Sequence, residues 1–464
     1  MSSTQEVTMS TRISNPYLSG NLAPIDVEHT AIDLAVTGTL PVELDGRYVR
    51  NGPNPIGEVD PATYHWFTGD GMVHGVRLRD GRAEWYRNRW VRSVEVSNAL
   101  GEERAPGERH GGFDGANTNV IGHAGRTFAI VEAGARPVEL TDELETVCHS
   151  DLDGTLAHGF TAHPKRDPES GELHAVNYYW GRPEVLDYVV VDTGGRVRRT
   201  VEVPVPGNPM VHDCSLTERF VALYDLPVTF DVDAALGGAS FPYAWNDDYG
   251  ARVGLLPREG GADDVRWFEV DPCYVFHPLN AHDEVGADGT VERVVLEVVR
   301  HPRMFDRDRR GPNEGPPTLW RWTLDLGSGS AHEEQIDDLA LEFPRVDERR
   351  VGRPHRYGWA TVQAGADRGL IQPTGMVRYD ALTGARQTVD LGPGREAGEF
   401  VFVPRSADAD EDDGWYLTLV YDGTTDRSEL LVLDASAPGE GPVARVHLPT
   451  RVPAGFHGNW IPSA

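Results

Sequence analysis

The sequence predicts an all-β protein. Short alternating or β-branched runs are separated by turns along most of the 464 residues, and 51 glycines and 33 prolines supply those turns. We find no segment with the length and the capping residues of a long helix. Many short strands with frequent turn residues are typical of sandwiches, barrels and propellers.

The hairpins favour a propeller among these three architectures. The clearest one turns at Asp80-Gly81, between residues 73–78 and 83–87, because an Asp-Gly pair suits a type I′ turn with positive φ at both central residues. Four further hairpins are predicted to turn within residues 193–195, 327–329, 383–384 and 437–441. Such units recur roughly every 50 to 60 residues, about the length of a four-stranded blade. Two longer segments, 101–115 and 232–249, are expected to cover one face.

Composition limits the partners and the compartment. A net charge of −30 repels phosphate backbones, so we expect no nucleic-acid partner. Residues 1–14 are polar and are predicted to form a flexible tail without a signal peptide, followed by one catalytic domain over residues 15–464. Three distant cysteines, without a CxxC pair, favour a reducing compartment, so we expect a cytoplasmic protein. Nothing in the sequence implies a protein partner.

Four of the 17 histidines occupy similar local settings, each between a short apolar stretch and a turn or small residue: His163, His212, His277 and His457. Histidines at the inner strand ends of a propeller can meet at its axis. A local zinc motif would need closer pairs, which are absent. Imidazole ligands suit zinc, copper, iron or nickel, so these residues alone do not select the metal.

Several motifs spread over nearly the whole chain carry a family resemblance. They are Asn-Pro-Tyr-Leu at 15–18, Arg-Asn-Gly-Pro-Asn-Pro at 50–55, His-Trp-Phe-Thr-Gly-Asp-Gly-Met at 65–72, Ala-Asn-Thr-Asn-Val at 116–120 and Gly-Phe-His-Gly-Asn-Trp at 455–460. In this order they resemble the carotenoid cleavage oxygenase family, and actinobacterial members most closely. The family includes apocarotenoid oxygenases, the retinal-pigment-epithelium isomerase and lignostilbene dioxygenases.

The resemblance implies a seven-bladed β-propeller with a dome of loops over a central iron(II) site. The implied iron ligands are His163, His212, His277 and His457. His282 lies five residues after the third of these, but the family motif places the ligand in Phe-His-Pro, which is residues 276–278. The resemblance also implies that Glu132, Glu342 and Glu399 accept hydrogen bonds from ligand imidazoles.

The resemblance further implies a catalytic position and a substrate pocket. Thr118 matches a residue that crowds a vacant iron coordination site, and Phe67 and Val131 are expected to contact the substrate. Lignostilbene dioxygenases carry a phenolate-binding lysine at the position of Val131. The only lysine here is Lys165, so an apolar polyene is favoured, unless another residue such as Tyr86 replaces that lysine.

The function implied is that of a non-haem iron(II) dioxygenase which splits one double bond of a carotenoid or apocarotenoid into two carbonyl products, with dioxygen as co-substrate. Two alternatives stay open: a stilbene or phenylpropanoid dioxygenase of the same family, and a non-catalytic binding propeller with a structural metal. The segment after Asp231 is shorter than in close relatives. Together with the charge, this predicts no firm membrane attachment.

Overall fold

Seven antiparallel sheets and one two-stranded ribbon form the β-structure of residues 15–312, 314–365 and 372–463, which a computed structural model describes. The predicted tail, residues 1–14, lies outside the described residues. Each of the seven sheets has four to six strands, as blades of a propeller do. The predicted seven-bladed β-propeller is therefore confirmed.

The strands are numbered in chain order. The first nine are β1 (Thr30–Ile32), β2 (Val36–Gly38), β3 (Gly46–Pro53), β4 (Gly71–Arg79), β5 (Arg82–Trp90), β6 (Asn119–His123), β7 (Arg126–Ile130), β8 (Val138–Leu140) and β9 (Thr146–His149). The next ten are β10 (Lys165–Arg166), β11 (Leu173–Asn177), β12 (Val185–Val191), β13 (Val197–Pro204), β14 (Cys214–Leu216), β15 (Phe220–Asp225), β16 (Val228–Phe230), β17 (Tyr243–Trp245), β18 (Arg252–Pro257) and β19 (Arg266–Glu269).

The remaining strands are β20 (Tyr274–Val285), β21 (Val291–His301), β22 (Thr318–Asp325), β23 (Ser330–Gln335), β24 (Leu341–Val346), β25 (Tyr357–Ala364), β26 (Gln372–Asp380), β27 (Ala385–Asp390), β28 (Arg395–Ala397), β29 (Val401–Pro404), β30 (Gly414–Asp422), β31 (Arg427–Asp434), β32 (Pro442–His447) and β33 (Gly458–Pro462). The two α-helices described are α1 (Val94–Leu100) and α2 (Val232–Leu236). Short 3₁₀ turns cover Pro16–Leu18, Gly20–Leu22, Trp66–Thr68, Ala262–Asp264, Glu348–Arg350 and Pro438–Glu440.

Both ends of the chain take part in closing the ring of blades. Five blades use strands close in sequence: β6–β9, β10–β13, β14-β15-β18-β19, β20–β23 and β24–β27. The other two combine early and late strands, in the orders β1-β5-β4-β3-β33 and β2-β32-β31-β30-β28, with β29 also pairing with β30. In these two blades β2 pairs with β32 and β3 pairs with β33. Backbone hydrogen bonds therefore join early strands to late ones and close the ring.

One edge strand of each blade faces the axis. Contacts between neighbouring blades join β10 to β14, β14 to β20, β20 to β24, β29 to β33 and β33 to β6. These inner strands carry or directly follow the candidate histidines. His163 precedes β10, His212 precedes β14, His277 lies in β20 and His457 precedes β33.

Burial follows the position of a strand within its blade. In β12, every residue after the first is buried, because other blades cover both faces of the sheet. In the outermost strand β13, half-buried and exposed residues alternate over most of its length, as expected for a strand with one face in solvent. The β-branched run of β12 therefore forms a buried strand in the middle of its blade, away from both edges.

The five predicted hairpins are present. Asp80 and Gly81 have φ values of 50° and 68°, the two positive angles of a type I′ turn between β4 and β5. The others join β12 to β13, β22 to β23, β26 to β27 and β31 to β32. Helix α1 was not predicted, although Ser93 caps the backbone N–H of Val96 and Gly101 ends it in the left-handed region.

Candidate metal centre

The structure brings the four candidate histidines together on the propeller axis. One ring nitrogen from each lies within 4.8 Å of the others. The Nε2 atom of His277 is 3.3 Å from Nε2 of His212 and 3.1 Å from Nε2 of His457. All four residues are buried, with exposed fractions of at most 9%.

Local backbone irregularities aim these side chains at the axis. His277 lies in β20 where the pairing with β21 shifts register between Val275 and Pro278, and Pro278 has no N–H for the ladder. His457 lies one residue before β33 and anchors its own backbone N–H on the carbonyl of Thr118 at 3.1 Å. His282, the alternative third ligand, points elsewhere in β20 and is not part of the cluster.

Three glutamates lie behind three of the histidines. The Nδ1 atom of His212 is 2.8 Å from Glu132, that of His277 is 2.6 Å from Glu342, and that of His457 is 3.1 Å from Glu399. Backbone N–H groups also hold two of these carboxylates: Phe343 donates to Glu342 at 2.6 Å and Gly458 donates to Glu399 at 2.9 Å. The three glutamates named from the sequence thus lie beside three of the four clustered imidazoles.

The hydrogen bonds determine the tautomers. An ionised carboxylate only accepts, so Nδ1 of these three histidines carries the proton and Nε2 presents a lone pair. Lone pairs on nitrogens 3.1–3.3 Å apart repel each other unless a cation lies between them. The Nε2 atom of His163 is also buried, without a hydrogen-bond partner among the described residues. This donor set fits a divalent cation bound by four neutral imidazoles.

The pKa shifts of His163 and His277 agree with neutral imidazoles, whereas Glu132 outweighs burial and raises the pKa of His212. Burial lowers the pKa of His163 well below its ordinary value and lowers the pKa of His277 to about 4. Burial alone would raise the pKa of Glu399, but Arg345 and His457 lower it to about 2. Burial likewise opposes the charge on Glu342, yet His277 and His301 hold its pKa well below the usual range.

His163 has no glutamate partner. Its Nδ1 atom lies 3.6 Å from the Oδ2 atom of Asp213, beyond hydrogen-bond distance. Asp213 is fixed by Lys165, whose Nζ is 2.8 Å away, and by the backbone N–H of Cys214 at 2.6 Å. No role was predicted for Asp213 from the sequence, although it directly follows His212.

His301 is a second residue at the site for which the sequence predicted no role. Its Nε2 atom lies 2.7 Å from Oε1 of Glu342, whose other oxygen contacts His277. Glu342 therefore links two imidazoles, one in the cluster and one outside it. His301 ends β21, and only the pairing of β21 with β20 brings it close to the cluster.

An aromatic cavity of about 670 Å³ opens onto one side of the cluster and touches His212, His277 and His457. Phe67 lies in its wall and makes edge-to-face contacts with four rings, at centroid distances of 5.5–6.0 Å: Phe241, Phe276, Phe305 and Phe456. Val131 and Thr118 also line the cavity, and the Thr118 hydroxyl donates to Asn117 Oδ1 at 3.0 Å. All three residues named from the sequence therefore border one cavity.

Two tyrosines add polar groups to this cavity. Tyr178 and Tyr243 line it, with ring centroids 6.0 Å apart, and the Tyr178 hydroxyl lies 3.5 Å from Glu132. The Tyr243 hydroxyl is buried without a hydrogen-bond partner in the described structure. Tyr86, named from the sequence as a substitute for the phenolate-binding lysine, does not line this cavity. It is fully buried in another core, and its hydroxyl lies 3.0 Å from Nδ1 of His74.

Residues of the two long segments named from the sequence line part of this cavity. Residues 112–113 and 239–243 belong to the two long segments and contribute to its lining. The nearby helix α2 exposes two apolar side chains, Val232 (58%) and Leu236 (83%), although the segment after Asp231 is short. In the described part of the chain, no helix combines the length and the apolar character that a membrane span requires.

Comparison with known proteins identifies the family. The family model described as retinal pigment epithelial membrane protein matches residues 22–462. A carotenoid cleavage oxygenase of Mycobacterium tuberculosis is 49% identical over 97% of this chain and 98% of its own length. A carotenoid 9,10(9′,10′)-cleavage dioxygenase of Crocus sativus is 34% identical over 96% of this chain and 89% of its own. Among solved structures, a Pseudomonas brassicacearum lignostilbene dioxygenase superposes with a TM-score of 0.86, at 30% identity over 97% of this chain and 99% of that chain.

The chain belongs to this family of carotenoid cleavage oxygenases, and the class that fold and site define is a β-propeller oxygenase with a four-histidine metal site. The predicted family is therefore confirmed. Membership at this level of identity over nearly the whole chain, together with the four-histidine site, also confirms the predicted enzyme against a non-catalytic binding propeller.

Proposed function

We propose that the protein is an iron(II) dioxygenase that cleaves one carbon–carbon double bond of an apocarotenoid or similar polyene. The observation that carries this proposal is a buried four-histidine cluster which opens onto an aromatic cavity. The names of the two carotenoid-cleaving relatives support the substrate class. One alkene and one dioxygen molecule give two carbonyl products, so atoms and electrons balance without an organic cofactor.

In this proposal His163, His212, His277 and His457 hold the metal, which activates dioxygen when bound. Glu132, Glu342 and Glu399 keep the Nδ1 protons of three ligands in place, so that each Nε2 lone pair faces the ion. Four neutral ligands leave the ion its full positive charge. No carboxylate is proposed to bind the metal directly.

The aromatic cavity orients the alkene and excludes water. A polyene has no groups that hydrogen-bond along its chain, so shape and ring contacts around Phe67 hold it. Val131 presents an apolar surface beside Glu132, which a hydrocarbon tail covers without an unpaired polar group. Thr118 narrows the space beside the ligands and so restricts where substrate and dioxygen lie. Exclusion of water protects the reacting groups from side reactions.

Three measurements test the proposal together. Purified protein should contain about one iron per chain, consume dioxygen only with an alkene present, and give two carbonyl products whose masses sum to substrate plus two oxygen atoms. Labelled dioxygen should enter both products. Protein that holds iron but neither consumes dioxygen nor cleaves any apocarotenoid would contradict the proposal.

Cleavage of stilbenes or phenylpropanoids is the second candidate function. It is favoured by the close superposition on a lignostilbene dioxygenase and by the two tyrosine hydroxyls in the cavity. Position 131 carries no lysine, and in this candidate function the Tyr243 hydroxyl donates to the phenolic oxygen instead. A panel of apocarotenals and 4-hydroxystilbenes, compared by kcat/KM, separates the two candidates.

A further inference from the structure

A second cavity, of about 340 Å³, follows the propeller axis. Residues of all seven inner strands line it, from β6, β10, β14, β20, β24, β29 and β33. It touches His163, His277 and His457, whereas the aromatic cavity touches His212, His277 and His457. The histidine cluster therefore lies between two cavities, and His163 borders only the axial one.

The two cavities differ in chemistry. Besides apolar side chains such as Leu279, Val401 and Phe402, the axial cavity is lined by three carboxylates, three cationic side chains and three amides: Asp213, Glu348 and Glu399; Lys165, Arg166 and Arg345; Asn119, Asn280 and Asn459. The aromatic cavity is lined mainly by rings and small apolar residues. Carboxylate and amide oxygens replace water molecules around divalent cations such as calcium and magnesium.

The carboxylates of the axial cavity run from the surface to the histidines. Glu348 lies at the outer end, with 54% of its side chain exposed, and Arg345 holds it at 2.6 Å. Arg345 also contacts Glu399 at 3.0 Å, and Glu399 accepts from His457. These residues form one wall, in which oxygen atoms are present both at the surface and beside the ligands.

The opposite wall ends at His163. There Lys165 holds Asp213 at 2.8 Å, and Asp213 lies 3.6 Å from the ring of His163. Lys165 is partly exposed and Asp213 is buried, with side-chain exposed fractions of 22% and 2%. Carboxylate oxygens therefore approach the cluster from both sides of the axial cavity.

All four histidines are buried, so an ion must cross protein to reach them once the chain has folded. Moving a bare charge through an apolar environment costs on the order of tens of kcal/mol, which disfavours the aromatic cavity as a route. We propose that the axial cavity is the route by which a hydrated divalent cation reaches the four histidines in the folded protein.

The paired charges along the axial cavity favour passage of a cation over its retention there. Each carboxylate that lines the axial cavity near the ligands has a cationic partner, Lys165 for Asp213 and Arg345 for Glu399, so an ion passing through the cavity meets no uncompensated negative cluster. A conducting path must bind an ion well enough to admit it and weakly enough to release it. The inference rests on the proposed metal site but not on the reaction or the substrate.

A reversible plug tests this route. In a Cys148→Ser background, since Cys214 and Cys273 are buried, Glu348→Cys places one accessible thiol at the outer end. A bulky methanethiosulfonate reagent attached to this thiol obstructs the outer end of the cavity, and a phosphine reductant removes the attached group. Chelator-treated protein is then mixed with cobalt(II), and bound cobalt is measured against time after rapid desalting. The matched control is Ala239→Cys, on the exposed rim of the aromatic cavity.

The plug at position 348 is expected to slow cobalt uptake by about tenfold or more, without changing the final cobalt content, because it obstructs the path and not the ligands. Reduction should restore the rate, and the plug at position 239 should leave it unchanged. Equal uptake with and without the plug at 348, or slowing only by the plug at 239, overturns the inference. Native apo-protein that takes up no cobalt, while protein refolded with cobalt does, also overturns it. If neither native apo-protein nor refolded protein binds cobalt, the proposed four-histidine metal site is itself wrong.

Charge at the outer end gives an independent readout. Glu348→Arg should slow uptake more than Glu348→Gln, and the difference should shrink with added salt, because exposed charges are screened over roughly 10 Å at 0.1 M. Identical rates for both variants at low salt would contradict a cation route past this residue.

Discussion

The Oε2 atom of Glu342 lies 2.6 Å from Nδ1 of His277, while Oε1 of the same carboxylate lies 2.7 Å from Nε2 of His301. Glu342 therefore fixes one clustered imidazole and is itself fixed by a second imidazole outside the cluster. The backbone N–H of Phe343 adds a third bond to this carboxylate. Such double anchoring limits the rotation of the His277 ring, on which the direction of its Nε2 lone pair depends.

The first prediction follows from this contact. Glu342→Gln should weaken metal binding by roughly 10- to 100-fold without abolishing it, because the amide still reaches His277 but no longer offers an ionised acceptor. Chelator competition against iron(II) or cobalt(II) measures the change. Glu333→Gln is the control, since this carboxylate is half-buried in the outer strand β23 and pairs with Arg300 of β21, away from the histidines. Equal losses in both variants would show a general effect of a buried amide.

The second prediction separates the two neighbouring histidines of β20. His277→Ala should abolish stable metal binding, because its Nε2 atom lies within 3.3 Å of two others in the cluster. His282→Ala should retain the metal, since this residue is outside the cluster. Metal content of the purified variants decides, with thermal unfolding to verify that both fold. Retention of metal by His277→Ala would remove this residue from the site.

The third prediction concerns substrate preference. The wild-type protein should cleave an apocarotenal with a higher kcat/KM than a 4-hydroxystilbene, because Val131 offers no donor to a phenolic oxygen. Val131→Lys should shift the ratio toward the stilbene by about tenfold or more, since a hydrogen bond to a charged group contributes roughly 1.5–3 kcal/mol. Val131→Met controls for size. A wild-type enzyme that prefers the stilbene would instead support recognition through Tyr178 and Tyr243.

The fourth prediction concerns stability and pH. Burial raises the pKa of Asp70 from 3.8 to about 6 in the folded protein. A carboxyl with a raised folded pKa favours the native state while it is protonated, and this contribution is lost as pH rises from about 4 through 6. Asp70→Asn should therefore become more stable relative to wild type over that interval, by up to about 3 kcal/mol. The melting temperatures of both proteins from pH 4 to 8 measure it.

The control for this prediction is Asp26→Asn, at an exposed position. Its difference from wild type should not grow between pH 4 and 6. A constant difference between Asp70→Asn and wild type across the whole range would show that Asp70 titrates normally in the folded protein.

The sequence by itself determined the local features. Asp80-Gly81 fixes its own turn, because positive φ at two successive residues is a property of those residues and not of distant packing. The other predicted hairpins each place one glycine at positive φ, namely Gly195, Gly329, Gly384 and Gly441, and a β-branched run such as β12 forms a buried strand. The settings of His163, His212, His277 and His457 also marked them as candidates, and the family motifs added three glutamates to them.

Only the tertiary structure decided what lies between the blades. Asp213, Lys165 and His163 form one wall of the axial cavity because β10 and β14 are adjacent inner strands, and no spacing in the sequence states that adjacency. Likewise His301 reaches Glu342, and Tyr178 rather than Tyr86 reaches the aromatic cavity, through contacts between separate blades and loops. Such contacts depend on the closure of the ring by β2, β3, β32 and β33. Strand periodicity fixes which face of a strand is buried, whereas ring closure fixes which residues meet across the axis.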